Sequence, residues 1–264
     1  MSSNNLPAIV LVPGAFGTPD GFEKLLPYLK DAGYTTHPGP YPSCDPPDPS
    51  TATCQDDIAS LRDNILLPLL DQQQKDVVII AHSYGGVVAG GAAKGFDIQT
   101  RITKGQAGGR IIGLIYVAGN IALEGESLFE AVGGKHPPFI KMNKPSEGLA
   151  LIEPAMDILY NDCDPALASE LDKYMKPHAL MAFDIKATAP AWADKGFDGR
   201  RAYVRTMKDC CNPSWLQDLW LEKSKVKWEV VDFQTGHMPF VSQPKALAEQ
   251  IVKFINEFIA LRDP

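Results

Sequence analysis

The sequence predicts an α/β protein with a mainly parallel sheet flanked by helices. Short β-rich runs alternate with helical patterns along most of the chain, which is typical of βαβ units. The runs Ile-Val-Leu-Val at 9–12 and Val-Val-Ile-Ile at 77–80 are continuously apolar. A continuously apolar run is typical of a strand in a sheet whose two faces are both covered by helices. We therefore expect these two runs to be central strands.

The remaining strands and helices follow from hydrophobic periodicity. We predict strands at 8–12, 77–81, 110–117, 201–205 and 226–231, and loops at Gly33 and at 38–49. The clearest helix is the last, where apolar residues recur at three- and four-residue spacing: Leu247, Ile251, Phe254, Ile255, Phe258 and Ile259. A second amphipathic helix is expected at 57–70, with Pro68 bending its end.

Between residues 119 and 198 the regular alternation of predicted strands and helices is absent, and the sequence contains Gly/Pro-rich loops and short helical patterns instead. An insertion of this size between two sheet strands would cover one end of the sheet. We therefore predict a core formed by residues 1–118 and 199–264, and a mainly helical cap at 119–198.

Composition excludes several classes of function. The net charge of −7 and pI of about 5.2 disfavour nucleic-acid binding. The longest apolar stretch, 111–123, is too short to span a membrane, and the N-terminus lacks a secretory pattern. We expect a cytoplasmic protein whose five cysteines lack metal-ligand spacing, with a Cys44–Cys54 disulfide left open. The oligomeric state also stays open, a homodimer being one option.

A candidate nucleophile follows the second predicted central strand. The segment Ala-His-Ser-Tyr-Gly-Gly at 81–86 ends a buried strand and opens a helical run, which is the setting of a nucleophile elbow. Such a turn would hold Ser83 at the end of the sheet, and Gly85 would let the helix approach the strand. His82 is not the expected base, because strand alternation points its ring away from Ser83. The alternative is an ordinary strand-to-helix turn capped by Ser83.

An oxyanion hole is predicted beside Ser83. The first strand runs into Pro-Gly-Ala-Phe-Gly at 13–17. Backbone N–H groups of this loop and of Tyr84 would converge on a developing oxyanion. Ala15 is the first choice within the loop and Phe16 the second. A plain βα turn is the alternative.

The base and the acid are expected after the last two sheet strands. His237 lies between the last strand and the last helix, and Asp209 follows the penultimate strand. The chain order serine, acid, histidine is that of a Ser-His-Asp triad on an α/β sheet. Asp209 would orient the imidazole by accepting its Nδ1 proton. Glu124, after the strand at 110–117, is the competing acid.

These segments together resemble the α/β-hydrolase superfamily, and more narrowly the small cofactor-free hydrolases related to plant methylesterases and hydroxynitrile lyases. The resemblance rests on segments 10–15, 81–86, 206–209 and 236–240, and in the cap on 159–162 and 190–192. It implies an α/β-hydrolase fold without a metal or other cofactor. The superfamily often begins with an antiparallel hairpin, but the first strand here starts at about residue 8. We therefore predict six strands.

The resemblance implies an esterase or lactonase that forms an acyl-enzyme on Ser83. Hydroxynitrile lyases of this type carry a lysine where this chain has Met238, and its absence favours hydrolysis. The same triad also supports C–C bond hydrolysis, lyase or cyclase chemistry, and a catalytically silent ligand-binding member is a further alternative.

The cap is expected to select a moderately hydrophobic small molecule, aromatic or polyketide-like. It carries many large apolar side chains, which suit bulky apolar ligands: Phe129, Phe139, Met142, Met156, Tyr160, Tyr174, Met175, Met181, Phe183 and Trp192. Phe16 and Tyr84 are predicted to form the floor of the pocket and His178 and Trp192 its roof. Met181 and Met238 complete the predicted substrate-binding set. For each cap residue, packing of the cap on the sheet is the alternative role.

Overall fold

A parallel sheet forms the centre of the protein. A computed structural model describes residues 6–262 and contains nine strands within them: β1 (Ala8–Val12), β2 (Thr36–Pro38), β3 (Val77–His82), β4 (Ile111–Val117), β5 (Ile140–Met142), β6 (Leu149–Ile152), β7 (His178–Ala179), β8 (Arg201–Thr206) and β9 (Glu229–Phe233). Six of them pair in the order β2-β1-β3-β4-β8-β9, and every pair is parallel. The predicted six-stranded α/β-hydrolase fold is confirmed. β1, β3 and β4 are buried along their whole length.

Both edge strands of the parallel sheet differ from the sequence prediction. β2 was not among the predicted strands; it has three residues and ends at Pro38, where the sequence indicated a loop. A proline is tolerated there because an edge strand needs no donor on its free side. β9 begins at Glu229 rather than at residue 226, because its pairing with β8 starts only at Glu229, opposite Ala202. The residues of β9 are partly or fully exposed.

Helices cover both faces of the sheet. The α-helices are α1 (Leu26–Asp31), α2 (Cys54–Leu61), α3 (Gly85–Ala92), α4 (Ile98–Thr103), α5 (Leu128–Ala131), α6 (Ala155–Leu159), α7 (Ala168–Leu171), α8 (Met181–Asp184), α9 (Ser214–Ser224), α10 (Pro239–Ser242) and α11 (Pro244–Ala260). Short 3-10 helices occur at Pro19–Phe22, Pro165–Leu167, Asp172–Tyr174, Ala191–Ala193 and Lys195–Phe197. No helix in residues 6–262 is long and apolar enough to cross a membrane.

The predicted amphipathic helix at 57–70 starts earlier and is less regular. α2 begins at Cys54, where Thr53 and Asp56 form a reciprocal capping box. Two π-helical stretches follow, at Arg62–Leu66 and Pro68–Gln72. Pro68 has no backbone N–H to continue the α-helical ladder, which is the physical reason for the change in winding.

The last helix, α11, packs on the sheet through its apolar stripe as predicted. Leu247, Ile251, Phe254, Ile255 and Phe258 are buried, and Ile259 is partly buried. Phe258 lies directly over Gly113 of β4, so that a Cβ placed on Gly113 would stand 2.0 Å from the Phe258 ring. The absence of a side chain at Gly113 therefore allows the closest approach of helix and sheet.

Gly113→Ala is expected to destabilise the fold by about 1–3 kcal/mol, the usual cost of overpacking a core. For a chain of this size that corresponds to a fall in Tm of roughly 5 °C. Thermal unfolding followed by circular dichroism measures it. Gly21→Ala is the matched control, because a Cβ there meets no atom within 4 Å. Equal Tm values for the two variants would contradict the packing of α11 on β4.

The segment 119–198 contains mostly short helices, together with a sheet that the sequence analysis missed. β5, β6 and β7 form this three-stranded antiparallel sheet. Its strands have two to four residues, too few for an alternating pattern to stand out.

The disulfide left open between Cys44 and Cys54 is absent: both are free thiols. Cys44 Sγ contacts the Gly17 carbonyl, whereas Cys54 Sγ contacts the Ile185 carbonyl. The two side chains therefore point to different parts of the molecule. A disulfide needs the two Cβ atoms within about 4.5 Å and facing each other.

Candidate active site

Ser83 occupies a strained turn at the carboxyl end of β3. Its φ of 50° is unusual for a residue with a side chain, and α3 begins two residues later. A Cβ on Gly85 would lie 2.5 Å from the Pro13 carbonyl oxygen. Glycine at 85 thus lets α3 start directly against the loop after β1. The turn has the geometry of a nucleophile elbow, which raises the serine above the end of the sheet.

His237 and Asp209 form a buried hydrogen-bonded pair. His237 Nδ1–H donates to Asp209 Oδ2 at 2.7 Å, and both side chains are almost completely buried. The Asp209 carboxylate also accepts from Thr206 Oγ1 at 2.8 Å and from the backbone N–H groups of Cys211 and Asn212 at 2.8 and 2.7 Å. These donors fix the orientation of the carboxylate, and the carboxylate in turn fixes the tautomer with a free His237 Nε2.

The competing acid, Glu124, does not reach this histidine. Its side chain is exposed to solvent in the turn after β4. His237 Nδ1 already has Asp209 as its partner. The structure therefore excludes the alternative acid, because the turn carries Glu124 outward.

Ser83 and His237 line one cavity. Within the described residues, no hydrogen bond joins Ser83 Oγ to the His237 ring. In unliganded hydrolases this contact is commonly long and shortens when substrate binds. The shared cavity therefore gives both side chains access to the same ligand.

His82 supports the loop that carries His237. Its Nε2–H donates to the His237 carbonyl oxygen at 2.9 Å, and the two rings pack with centroids 4.6 Å apart. Burial, with the nearby His237 ring, lowers the pKa of His82 well below its usual value, so the ring stays neutral. The sequence analysis excluded His82 as the base, but it did not foresee this contact.

Two of the three expected oxyanion donors have free N–H groups. Among the described residues, neither the Ala15 nor the Tyr84 backbone N–H has a hydrogen-bond acceptor. The Phe16 N–H instead donates to His178 Nδ1 at 3.4 Å. Because the Phe16 N–H already has this partner, the geometry favours Ala15 and Tyr84 over Phe16 as oxyanion donors.

The cavity beside Ser83 has a volume of about 260 Å³ and a mainly apolar wall. Both sheet-end loops and the segment 119–198 contribute to it. The lining residues are Ala15, Phe16, Ser83, Tyr84, Asn120, Leu128, Phe129, Val132, His136, Pro137, Phe139, Ile140, Ile152, Leu159, Phe183, Cys210, Cys211, Asn212, Pro213, Trp215, Leu216 and His237. Phe16 and Tyr84 are the two predicted substrate-binding residues among them.

The other four predicted substrate-binding residues lie outside the cavity. His178 is fully buried behind the rings of Phe16, Tyr84 and Phe183, with centroid distances of 5.6, 5.2 and 5.1 Å. Trp192 is buried against Trp228, and its carbonyl accepts from Arg201 Nε, so it joins the segment 119–198 to the core.

Met181 and Met238 do not line the cavity, and the structure around each residue shows why. Met181 begins α8, a single turn that brings Phe183 rather than Met181 to the cavity. Met238 follows His237 but turns into a separate small cavity that Gly14 and His82 also line. Of the apolar residues predicted for the cap, Phe129, Phe139 and Phe183 line the main cavity.

Sequence reasoning missed the polar groups of the cavity and one of its walls. Residues 210–216, after Asp209, supply Cys210, Cys211 and Trp215, the last 65% exposed at the cavity edge. The proximity of this loop to Asp209 was the available signal. Asn120 and His136 also line the cavity. The Asn120 side-chain amide makes no hydrogen bond to any residue in 6–262, although Asn120 itself is buried.

Comparisons with known proteins agree with the fold. A sequence model described as the alpha/beta hydrolase family matches residues 9–250. The chain is 25% identical over 259 residues to the alpha/beta hydrolase nvfD of Aspergillus novofumigatus, covering 97% of this chain and 99% of that protein.

Solved hydrolase structures have a similar fold. A pyrethroid hydrolase from Sphingobium faniae superposes with a TM-score of 0.69 at 18% identity, covering 96% of this chain and 98% of that one. A methylesterase from Arabidopsis gives a TM-score of 0.69 at 19% identity, covering 95% and 99%. At these identities the likeness establishes a common fold and leaves the substrate open.

Proposed function

The chain belongs to the alpha/beta hydrolase family, and we propose that it is a serine hydrolase that cleaves an ester or lactone of a moderately hydrophobic small molecule. One observation carries the proposal: the Asp209–His237 pair opens on the same apolar cavity as Ser83 in its strained turn. This arrangement matches the needs of acyl transfer, in which a nucleophile and an oriented base must meet one carbonyl.

In the proposed reaction Ser83 Oγ attacks the ester carbonyl and His237 Nε2 takes its proton. The backbone N–H groups of Ala15 and Tyr84 stabilise the oxyanion that forms. His237 then protonates the leaving alcohol, which departs and leaves an acyl group on Ser83. Water, deprotonated by His237, attacks the acyl-enzyme and releases the acid. Asp209 holds the imidazole and stabilises its cationic form in both halves.

The wall of the cavity supports an uncharged, largely apolar substrate. Within the part of the chain that the structure describes, no Lys, Arg, Asp or Glu lines it. The free amide of Asn120 supplies a hydrogen-bonding group close to Ser83, because the Asn120 N–H itself donates to the Ser83 carbonyl oxygen at 2.8 Å. A substrate with one polar atom near the scissile bond and an apolar body fits this distribution.

A panel of aryl, methyl and lactone esters, assayed against the wild type and Ser83→Ala, tests the proposal. Hydrolysis by the wild type and none by the variant is expected for at least one class. If the wild type converts no ester or lactone but cleaves a β-diketone, the reaction is C–C bond hydrolysis on the same residues. Substrate binding without any conversion would favour a ligand-binding protein.

Phe139→Ala is expected to reduce kcat/KM for a bulky aryl ester by about tenfold or more, as removal of an apolar pocket contact commonly does. The effect on a small acetate ester should stay within about threefold, because we expect that substrate to bind near Ser83 without reaching Phe139. Met142→Ala is the matched control, since Met142 lies three residues further along, at the end of β5, is 49% exposed and does not line the cavity. Equal losses on both esters would show that Phe139 acts through packing alone.

The cytoplasmic location and the division into core and cap stay part of the proposal. The free thiols of Cys44, Cys54, Cys163, Cys210 and Cys211 support a reducing compartment. Participation of the segment 119–198 in the cavity wall supports its assignment as a specificity cap.

A further inference from the structure

Behind the candidate active site lies a second group of buried polar side chains that the proposed reaction does not use. It consists of His178, Ser43, Asp57 and Tyr84. Ser43, Asp57 and His178 have no exposed surface, and Tyr84 exposes 1% of its surface. Burying a carboxylate, an imidazole and two hydroxyls is unfavourable unless each has partners. Their hydrogen bonds therefore identify what the group does.

The hydrogen bonds form one continuous chain with a defined direction. The Phe16 N–H donates to His178 Nδ1, so this nitrogen carries no proton. Burial lowers the pKa of His178 to about 3, and the neutral ring then carries its proton on Nε2. That N–H donates to Ser43 Oγ, at 2.9 Å, and the Ser43 hydroxyl donates to Asp57 Oδ2 at 2.5 Å.

Tyr84, the residue after Ser83, also binds Asp57. The Tyr84 hydroxyl donates to Asp57 Oδ2 at 2.6 Å, and the Ser43 N–H donates to Oδ1 at 3.0 Å. Asp57 lies in the first turn of α2, where the helix dipole favours a negative charge. The carboxylate is thus a fixed anchor between two loops.

The two ends of this chain of hydrogen bonds lie next to the two expected oxyanion donors. Phe16 directly follows Ala15, and Tyr84 supplies the second free N–H. Neighbouring bonds hold the same loop: the Tyr41 hydroxyl donates to the Pro13 carbonyl at 2.5 Å, and the Lys176 N–H donates to the Phe16 carbonyl at 2.8 Å. The β1 loop is therefore held at its start and after Ala15.

We propose that His178, Ser43, Asp57 and the Tyr84 hydroxyl form a positioning network that holds the Ala15 and Tyr84 N–H groups at the spacing required by the oxyanion. The proposal rests on the function proposed above. Oxyanion donors act only when they are fixed where the charge develops, and a displacement of about 1 Å costs up to a hundredfold in rate. Ser43 is not a second nucleophile, because it is fully buried and does not line the cavity.

Ser43→Ala tests the network at its centre, because it removes the link between His178 and Asp57. We expect kcat to fall by about ten- to a hundredfold, less than the loss of an oxyanion donor outright, with KM within about twofold. Inhibition by a trifluoromethyl ketone should weaken by the same factor. In that adduct Ser83 Oγ bonds to the ketone carbon, its proton goes to His237, and the oxygen becomes the oxyanion.

Ser224→Ala is the matched control. Ser224 is also a buried serine whose hydroxyl makes three hydrogen bonds, donating to the Leu221 carbonyl and accepting from Trp228 Nε1 and the Val226 N–H, but it lies at the far end of α9 from the cavity. Its variant should match the stability loss of Ser43→Ala, measured as Tm, while kcat and ketone affinity stay at wild-type values. Equal effects of the two serine variants on kcat and on ketone affinity overturn the proposal.

A pair of His178 variants gives a second, conservative test. His178→Asn retains an oxygen acceptor for the Phe16 N–H, whereas His178→Ala removes it. The asparagine variant should therefore keep at least about threefold more kcat than the alanine variant, since it retains an acceptor for the Phe16 N–H. Identical kcat values for the two would contradict a role through Phe16.

Hydrogen–deuterium exchange separates this proposal from the proposed function. Exchange in peptides that contain residues 14–18 should rise in Ser43→Ala and His178→Ala and stay unchanged in Ser224→Ala. This result does not require turnover, so it holds even if no ester is hydrolysed. Unchanged exchange in the loop of all variants would overturn the network, whatever the wild-type activity is.

Discussion

Replacing Ser83 by alanine is expected to lower kcat for a cleaved ester by about five to six orders of magnitude, because the proposed acyl-enzyme forms on the Ser83 hydroxyl. The residual rate would come from substrate binding and the N–H groups of Ala15 and Tyr84, which remain in place. The measurement is steady-state hydrolysis of the best ester of the panel, with highly purified variant protein.

The alanine variant should fold normally. Removal of one hydroxyl at a turn exposed to the cavity leaves the packing of β3 and α3 unchanged, and the strain at a φ of 50° is no greater for alanine than for serine. Wild-type Tm with lost activity is therefore the expected combination. A variant that retains even a hundredth of wild-type kcat would remove Ser83 from the chemical step.

Asp209→Asn is expected to lower kcat by about four orders of magnitude, the size of effect known for triads whose acid is neutralised. The asparagine amide no longer favours the tautomer in which His237 Nδ1 carries the proton, so Nε2 is less available as a base. It also no longer stabilises the imidazolium. Steady-state hydrolysis of the best ester of the panel measures this loss.

Glu124→Gln is the control for the acid. Glu124 is exposed after β4, and the substitution should leave kcat within about twofold of wild type, as expected for an exposed side chain without partners in the site. A nearly neutral Asp209→Asn together with a crippled Glu124→Gln would contradict the geometry of the pair. Loss of activity in both would point to a shared effect on folding, which the two Tm values would reveal.

The sheet could be predicted from sequence because its central strands carry long apolar runs. The continuously apolar runs at 8–12 and 77–80 predict strands that are buried on both faces. Once these strands are placed, the loops that follow them at the end of the sheet are identified as well. Ser83, Asp209 and His237 could be proposed from the sequence because each follows a predicted sheet strand, in the order serine, acid, histidine along the chain. β2 was not predicted because a strand of three residues that ends in proline is too short to show an alternating apolar pattern.

The cavity wall was much less predictable than the triad positions. Apolar composition does not tell whether a side chain faces a ligand or the protein interior: Phe139 lines the cavity, whereas Trp192 packs on Trp228. His178 shows the same limit, since only tertiary structure brings it to Ser43 and to the Phe16 N–H. Contacts between residues more than a hundred positions apart leave no local signal in one sequence.

Labelling with a fluorophosphonate, followed by peptide mapping, tests the proposed serine hydrolase most directly. The Ser83 oxygen would form a bond to phosphorus and fluoride would leave, while His237 accepts the serine proton. The proposal predicts one adduct, located on Ser83, that is absent in Ser83→Ala and much slower to form in Asp209→Asn. An unmodified wild-type protein, or an adduct on another residue that persists in Ser83→Ala, would contradict it.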